Sequence, residues 1–154
     1  MNKSTQTKWK SDKQLGNYGE RKVLNYLNGL DEYKDNQFKL FKYRYNTFDL
    51  RNSDIIAEVK TRRCKHNTYP TTMIGHNKIK EAIANHDNFT YDFFFVFSDG
   101  LYRWRFWDKS EEDSQCYSIG KGGRTDRGYN EIKEYCYIDI NHLELITTKI
   151  KSFS

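Results

Sequence analysis

Two carboxylates and an ammonium are spaced in this chain so that they can share one edge of a sheet. Glu58 and Lys60 lie two residues apart in an apolar segment. Because side chains alternate along a β-strand, Glu58 and Lys60 face one side while Val59 faces the other. Asp49 precedes Glu58 by nine positions, and residues 51–54 between them are rich in turn formers. A hairpin with this turn brings the Asp49 carboxylate beside that of Glu58.

The chemistry that this arrangement supports is metal-assisted hydrolysis of a phosphodiester. Two carboxylates can bind Mg2+, a hard cation that takes oxygen ligands and keeps several waters. The cation makes one of these waters more acidic and neutralises charge on the phosphate and the leaving oxygen. Lys60 can orient or deprotonate that water. The residues therefore predict a Mg2+ or Mn2+ site beside a lysine.

The same residues resemble the motif of the PD-(D/E)XK, or restriction-endonuclease-like, nuclease superfamily. That motif has a Glu on a helix, an Asp at the end of a strand, and Glu-x-Lys on the next strand. The matching residues are Glu20, Asp49, Glu58 and Lys60. Thr47 and Phe48 stand where the name-giving proline would precede Asp49, at a position that the superfamily varies freely. The stretch 15–62 is most similar to the nuclease-like and Holliday-junction-resolvase-like branches.

The resemblance implies an α/β fold, with a mixed central β-sheet flanked by helices. It implies a metal-dependent endodeoxyribonuclease that leaves 5′-phosphate and 3′-hydroxyl ends. Asp49, Glu58 and the Val59 carbonyl would bind the metal, Glu20 would support it through a water, and Lys60 would position the attacking water. Two alternatives stay open: a resolvase of Holliday junctions or other branched DNA, which would act as a homodimer, and a nuclease-fold module that binds DNA or a protein without cutting.

Each residue also has a plainer explanation. Glu20 can solvate its helix, Asp49 can end a strand at the surface, and Lys60 can be a solvated lysine. A lone Glu-x-Lys can be an ion pair on an edge strand. Asp54 is a competing acidic residue, but its place in the turn predicts that it stabilises the turn. The joint order and spacing of the four residues favour the active site.

Hydrophobic spacing predicts the elements that position these residues. Apolar residues recur every three or four positions from 15 to 30, which indicates a helix with Ser11 or Asp12 as its cap. A second helix contains Ile74 and ends near Asn88, with Lys78 and Lys80 facing outward. The predicted strands are 36–45, 48–50, 55–62, 91–97, 101–107 and 135–140, followed by a short amphipathic piece at 143–150.

The remaining segments are predicted to be loops within one domain spanning residues 1–154. Residues 1–11 form a tail, 65–72 a loop around the sole proline, and 108–130 a polar, Gly-rich stretch. The Asp99-Gly100 pair suits a tight hairpin turn. The aromatic run 102–107 is typical of hairpin core rather than of a base-stacking platform.

Basic side chains near the site are candidate phosphate contacts. Arg62 and Arg63 leave the catalytic strand, and Lys78 lies on the following helix. Lys121, Arg124 and Arg127 belong to a Gly-rich segment, 121–128, that we expect to be a flexible loop. Its glycines allow the backbone to approach a phosphate closely. Ordinary solvated charges are the alternative for all six.

Composition agrees with an intracellular DNA-binding enzyme. There are 26 Lys and Arg against 21 Asp and Glu, giving a net charge of +5, which favours a polyanionic partner such as DNA. Three cysteines at no paired spacing indicate a reducing compartment. The longest apolar run, 93–97, is too short for a membrane span, and the N-terminus lacks a signal-peptide pattern. We expect a cytoplasmic or host-cell intracellular, non-secreted protein, and the Asn-, Lys- and Tyr-rich composition suits a phage or other virus.

Overall fold

The computed structural model describes residues 12–41, 48–106, 117–122 and 133–152. The helices in these ranges are α1 (Asp12–Asn28) and α2 (His76–Asn85), with single 3-10 turns at Asp31–Tyr33 and Ile140–His142. The strands are β1 (Lys39–Leu40), β2 (Leu50–Arg51), β3 (Ile55–Thr61), β4 (Thr71–Gly75), β5 (Thr90–Phe97), β6 (Gly100–Phe106), β7 (Tyr117–Gly122), β8 (Lys133–Asp139) and β9 (Glu144–Thr147).

Six strands form a mixed central sheet in the order β1-β2-β3-β5-β6-β9. The β3–β5 pair is parallel, and the other neighbours are antiparallel. Every residue from Tyr91 to Phe97 is buried, as expected for a strand covered on both faces, where an apolar run replaces alternation. Strands β3 and β5 therefore form the centre of the fold.

Each face of the central sheet has its own apolar core. On one face, Val23 and Leu27 of α1 pack with Val59 and Phe94. On the other face, Phe93 and its neighbours pack against α2 and a second sheet, ordered β4-β8-β7. The predicted α/β architecture, a mixed sheet flanked by helices, is confirmed. The second sheet was not predicted.

Three local predictions were wrong, and a fourth was incomplete. Ile74 does not begin the second helix but lies in β4, where it pairs with Cys136 of β8, and α2 ends at Asn85 rather than near Asn88. The segment 121–128 is not a flexible loop throughout, because Lys121 and Gly122 lie in β7. The amphipathic piece at 143–150 contains β9, the sixth strand of the central sheet. For Ile74, β7 and β9, pairing with another strand determines the conformation.

Some predictions lie outside the residues that the structure describes. These concern the 1–11 tail, most of the end of the 36–45 strand, Trp107, and the arginines Arg124 and Arg127. Within the described residues, Cys64 and Cys136 are free thiols. No helix in the same residues is long and apolar enough to cross a membrane.

Candidate active site

The β2–β3 hairpin places Asp49 opposite Glu58. Its antiparallel register pairs Leu50 with Ala57, so the next pair outward is Asp49 and Glu58. The Asp49 N–H donates to the Ala57 carbonyl at 3.0 Å, which continues the pairing to that position. Residues directly opposite in an antiparallel pair have neighbouring side chains. The predicted juxtaposition of the two carboxylates is thus present.

The turn between these strands is held by Asn52 and Asp54. The buried Asn52 side chain accepts from the backbone N–H groups of Asp54 and Ile55 at 2.9 and 2.7 Å. The Asp54 carboxylate accepts from Asn36 Nδ2 at 2.9 Å. Asp54 therefore takes part in the turn, as predicted, and the hairpin register is set by side-chain bonds rather than by its two short strands alone.

A backbone bond orients the Asp49 carboxylate. Asp49 Oδ2 accepts from the Val59 N–H at 2.8 Å, which satisfies a donor of β3 beyond the residues that pair with β2. Burial raises the pKa of Asp49, and the negative charge of Glu20 adds to the rise, while the Val59 bond and a hydrogen bond with the Glu58 carboxyl oppose it. The Val59 bond therefore orients the Asp49 carboxylate, while burial disfavours its charged form.

Glu58 lies between two lysines and is only 3% exposed. Lys60 Nζ is 3.2 Å from one carboxylate oxygen, and Lys78 Nζ is 3.3 Å from the other. Burial, followed by the charge of Asp49, raises the pKa of Glu58 to about 7, although both lysines lower it. At neutral pH this carboxylate is balanced between its protonated and charged forms.

Lys78 is a site residue that the sequence argument placed wrongly. Its side chain is not outward-facing: it is 15% exposed and its Nζ lies 4.8 Å over the Phe48 ring. Its spacing in the sequence indicates the inward position. Ala82, four residues on, is fully buried, and residues four apart share a helix face. Lys80, in contrast, is exposed as predicted.

Glu20 reaches the site because α1 packs closely on β3. Gly19 is buried, and a Cβ there would collide with Thr61 Oγ1. The absence of a side chain lets the helix approach the end of the catalytic strand. The next residue, Glu20, is half-buried and close enough to Asp49 for its charge to raise the pKa of that group.

The donor set fits a hard divalent cation. Asp49 and Glu58 supply neighbouring carboxylate oxygens, and the raised pKa of each indicates that added positive charge would stabilise their ionised forms. Among the described residues, no three or more His, Cys, Asp or Glu side chains already surround one cation position. Because Lys60 and Lys78 each contact one oxygen of Glu58, at least one ammonium would have to move for a metal to bind there.

The predicted nucleic-acid contacts differ in their surroundings. Arg62 is half-buried, its guanidinium donates to the Met73 carbonyl, and it lies 6.0 Å over the Phe95 ring. Arg63 is exposed. Lys121 is exposed too, but it lies in β7 rather than in a flexible loop. DNA contact by these residues stays a prediction.

Comparison with known proteins gives one match. The family model described as "Phage putative PDDEXK endonuclease" matches residues 28–146. That range contains the β2–β3 hairpin and both lysines of the site, whereas Glu20 precedes it. No curated protein and no solved structure matches the chain.

Proposed function

The chain belongs to this PDDEXK endonuclease family, whose model covers most of its length, and from that premise we propose that it is a metal-dependent endodeoxyribonuclease. The observation that carries the proposal is the contact of Glu58 with Asp49 on one side and Lys60 on the other. A carboxylate pair beside a lysine can supply metal ligands and a group that positions the attacking water, which is one way to hydrolyse a phosphodiester.

Each residue of the site would have a separate role in hydrolysis. A bound Mg2+ or Mn2+ supplies a more acidic water and charge neutralisation on the phosphate. Asp49 and Glu58, with the Val59 carbonyl, would hold that cation, and Glu20 would support it through a water. Lys60 has a side chain that is 37% exposed, so it can reach a substrate phosphate or the attacking water without leaving the site. Lys78 stays inside and favours the charged form of Glu58.

DNA cleavage and metal binding test this assignment together. Linear, circular, single-stranded and four-way-junction DNA should be incubated with Mg2+, Mn2+ or EDTA, and Mn2+ binding measured by calorimetry. Asp49→Asn and Glu58→Gln should lose both cleavage and Mn2+ binding, because each removes an anionic ligand. Asp54→Asn is the matched control, since it removes a nearby carboxylate that belongs to the turn. The products should be joined by DNA ligase without prior phosphorylation if they carry 5′-phosphates.

Two outcomes would contradict the proposal. If both site variants bind Mn2+ as the parent does, the metal ligands lie elsewhere. If the parent binds DNA but cuts none of the substrates with either metal, the chain is a binding module.

A further inference from the structure

A cavity of about 450 Å³ opens beside the candidate active site. It lies beyond the end of β3, and its lining includes Arg62, His66, Tyr69, Phe97 and Tyr137. Its volume is in the range of pockets that bind small molecules or parts of larger ones. None of these side chains has a role in the proposed hydrolysis.

The cavity is reached along the catalytic strand. Arg62 follows Lys60 by two residues, so both side chains leave the same side of the chain, about 7 Å apart along the strand direction. The charge of Glu58 raises the pKa of Arg62, although burial, the larger effect, lowers it. Arg62 therefore joins the lining of the cavity to the strand that carries Glu58 and Lys60.

The lining combines flat apolar surfaces with positive charge. Tyr69 is 63% exposed, and Phe97 and Tyr137 also line the cavity. Lys65 is its exposed cation, since the Arg62 guanidinium bonds to the Met73 carbonyl, and none of the described residues that line it is acidic. Such a surface suits a ligand with a flat body and an anionic edge.

His66 gives this cavity a rigid polar edge. Its Nδ1 is 2.6 Å from Asp99 Oδ2, and its backbone N–H donates to Asp99 Oδ1 at 2.9 Å. Its ring stacks on Tyr102 with centroids 4.5 Å apart. These contacts fix the imidazole, and its Nε2 is the ring nitrogen left to bond a ligand in the cavity.

We propose that this cavity holds one unstacked nucleobase of the DNA strand being cut, so that the enzyme prefers an unpaired nucleotide at the cleavage site. The inference rests on the proposed function in taking DNA as the ligand. Aromatic side chains stack on any base, because every base has a π-face. A base in a continuous duplex must first be unpaired and extruded, at a cost in free energy. Paired DNA is therefore the poorer substrate.

Binding to a bulged duplex tests the pocket independently of cleavage. Fluorescence anisotropy in EDTA should compare three short duplexes: one with a single unpaired thymidine, one with an abasic residue at that position, and one fully paired. The parent should bind the thymidine bulge about five- to a hundredfold more tightly than the abasic bulge. Tyr69→Ala should abolish that difference, and Tyr69→Phe should keep it. Leu145→Ala, which truncates an exposed apolar side chain on β9, should change nothing.

The outcomes separate the pocket from the nuclease. If the parent binds both bulges equally, or if Tyr69→Ala retains the preference for the base, the pocket assignment is wrong, whatever the enzyme cuts. Cleavage of the same duplexes with Mg2+ is read separately. If none is cut while the preference for the base persists and depends on Tyr69, the pocket stands and the nuclease proposal fails. Melting temperatures of the Tyr69 variants should match the parent, because the side chain is mostly exposed.

Discussion

Glu58 is a buried carboxylate that has two cationic neighbours and still has a raised pKa. Removal from water disfavours its charge, and Asp49 disfavours it further, whereas each lysine favours it. With a pKa of about 7, the group takes up either a proton or a cation at neutral pH. A carboxylate that serves as a metal ligand is expected to behave in this way when no metal is bound.

The first prediction is that the metal-free protein loses stability as pH rises from about 5 to about 8. Because the pKa of Glu58 is about 7 when folded against an ordinary value of 4.5, the folded state binds more protons between these values. Glu58 therefore contributes up to about 3 kcal/mol to the free energy of unfolding. This contribution is complete below pH 4.5 and is lost as the pH rises past about 7. The raised pKa of Asp49 acts in the same direction.

Thermal unfolding in EDTA across this pH range measures the effect. Glu58→Gln should flatten the decline, since it removes the titrating group. Saturating Mn2+ should reverse the decline in the parent, because the metal competes with the proton. Equal slopes for the parent and Glu58→Gln would show that Glu58 does not titrate in this range.

The second prediction concerns Lys60, an ammonium beside Glu58 that would act on the phosphate or the attacking water and would not be a ligand of the metal. Lys60→Ala should lower the single-turnover cleavage rate by about two to four orders of magnitude, if the ammonium acts mainly in the transition state. DNA and Mn2+ affinities should change by less than about tenfold. Lys80→Ala, a control on the exposed side of α2, should cut at the parental rate. If Lys60→Ala also cuts at the parental rate, Lys60 has no part in cleavage and is an ordinary surface lysine.

The third prediction is a different phenotype for Lys78, whose ammonium contacts Glu58 from inside. Without this charge, Lys78→Met should raise the pKa of Glu58 further, so the acid limb of the pH–rate profile, measured below metal saturation, should move upward by about one pH unit. The rate at high pH should change much less than in Lys60→Ala. Lys80→Met should leave the profile in place. An unmoved acid limb in Lys78→Met would remove Lys78 from the site.

At the scale of elements, local pattern was enough wherever local contacts decide the structure. The alternation around Val59 predicted β3, the Asn52 turn predicted its hairpin, and the 15–30 periodicity predicted α1. The resulting placement of Glu58 beside Asp49 needed only a register of two neighbouring strands. That is why the carboxylate pair could be predicted from sequence.

The second sheet could not be predicted in this way, because its strands depend on non-local pairing with β8. Gly120 and Gly122 made β7 resemble a flexible loop. In the structure, a Cβ at Gly122 would collide with the Tyr137 hydroxyl, and one at Gly120 would lie 3.3 Å from the Tyr137 ring. The glycines provide room for a neighbouring side chain. Similarly, Ile74 stands eight positions before Ala82, which is a helical spacing, but its pairing with β8 makes it part of a strand.

The fourth prediction tests the contact between α1 and β3. Gly19→Ala should destabilise the protein by about 1–3 kcal/mol, because the new methyl group overpacks against Thr61. It should also reduce cleavage by moving Glu20 away from Asp49. Gly16→Ala in the same helix is the matched control: its Cβ would meet nothing within 4 Å, and alanine favours helix by up to about 1 kcal/mol.

Chemical denaturation and single-turnover cleavage of both variants check this prediction. Folded Gly19→Ala protein with parental stability and rate would show that the close approach of α1 is not needed. In that case Glu20, which precedes the range matched by the endonuclease family, would have no supported role.

At the scale of the whole molecule, the excess of basic residues is small, so its distribution matters more than its size. The net charge is +5, while the active site itself contains a carboxylate pair that repels a phosphate backbone. Under the proposed function, cations elsewhere in the chain would have to hold the DNA. Arg62 has an internal partner, and Lys78 faces Glu58. The Gly-rich segment after β7 provides two further cations, Arg124 and Arg127.

The last prediction is that Arg124 and Arg127 contribute to the electrostatic attraction of DNA. Each phosphate contact releases a counterion, so the logarithm of affinity falls with the logarithm of salt concentration by about 0.9 per contact on duplex DNA. The double variant Arg124→Ala/Arg127→Ala should thus flatten the slope by up to about 1.8. Lys34→Ala/Lys39→Ala removes the same charge from two exposed positions, one directly after the first 3-10 turn and one on β1, and should lower affinity with little change of slope if it only alters net charge. Anisotropy titrations across a salt series measure both. Equal slopes for the arginine variant and the parent would exclude this segment from the DNA-binding surface, and equal flattening by both double variants would mean that overall charge, rather than position, attracts the DNA.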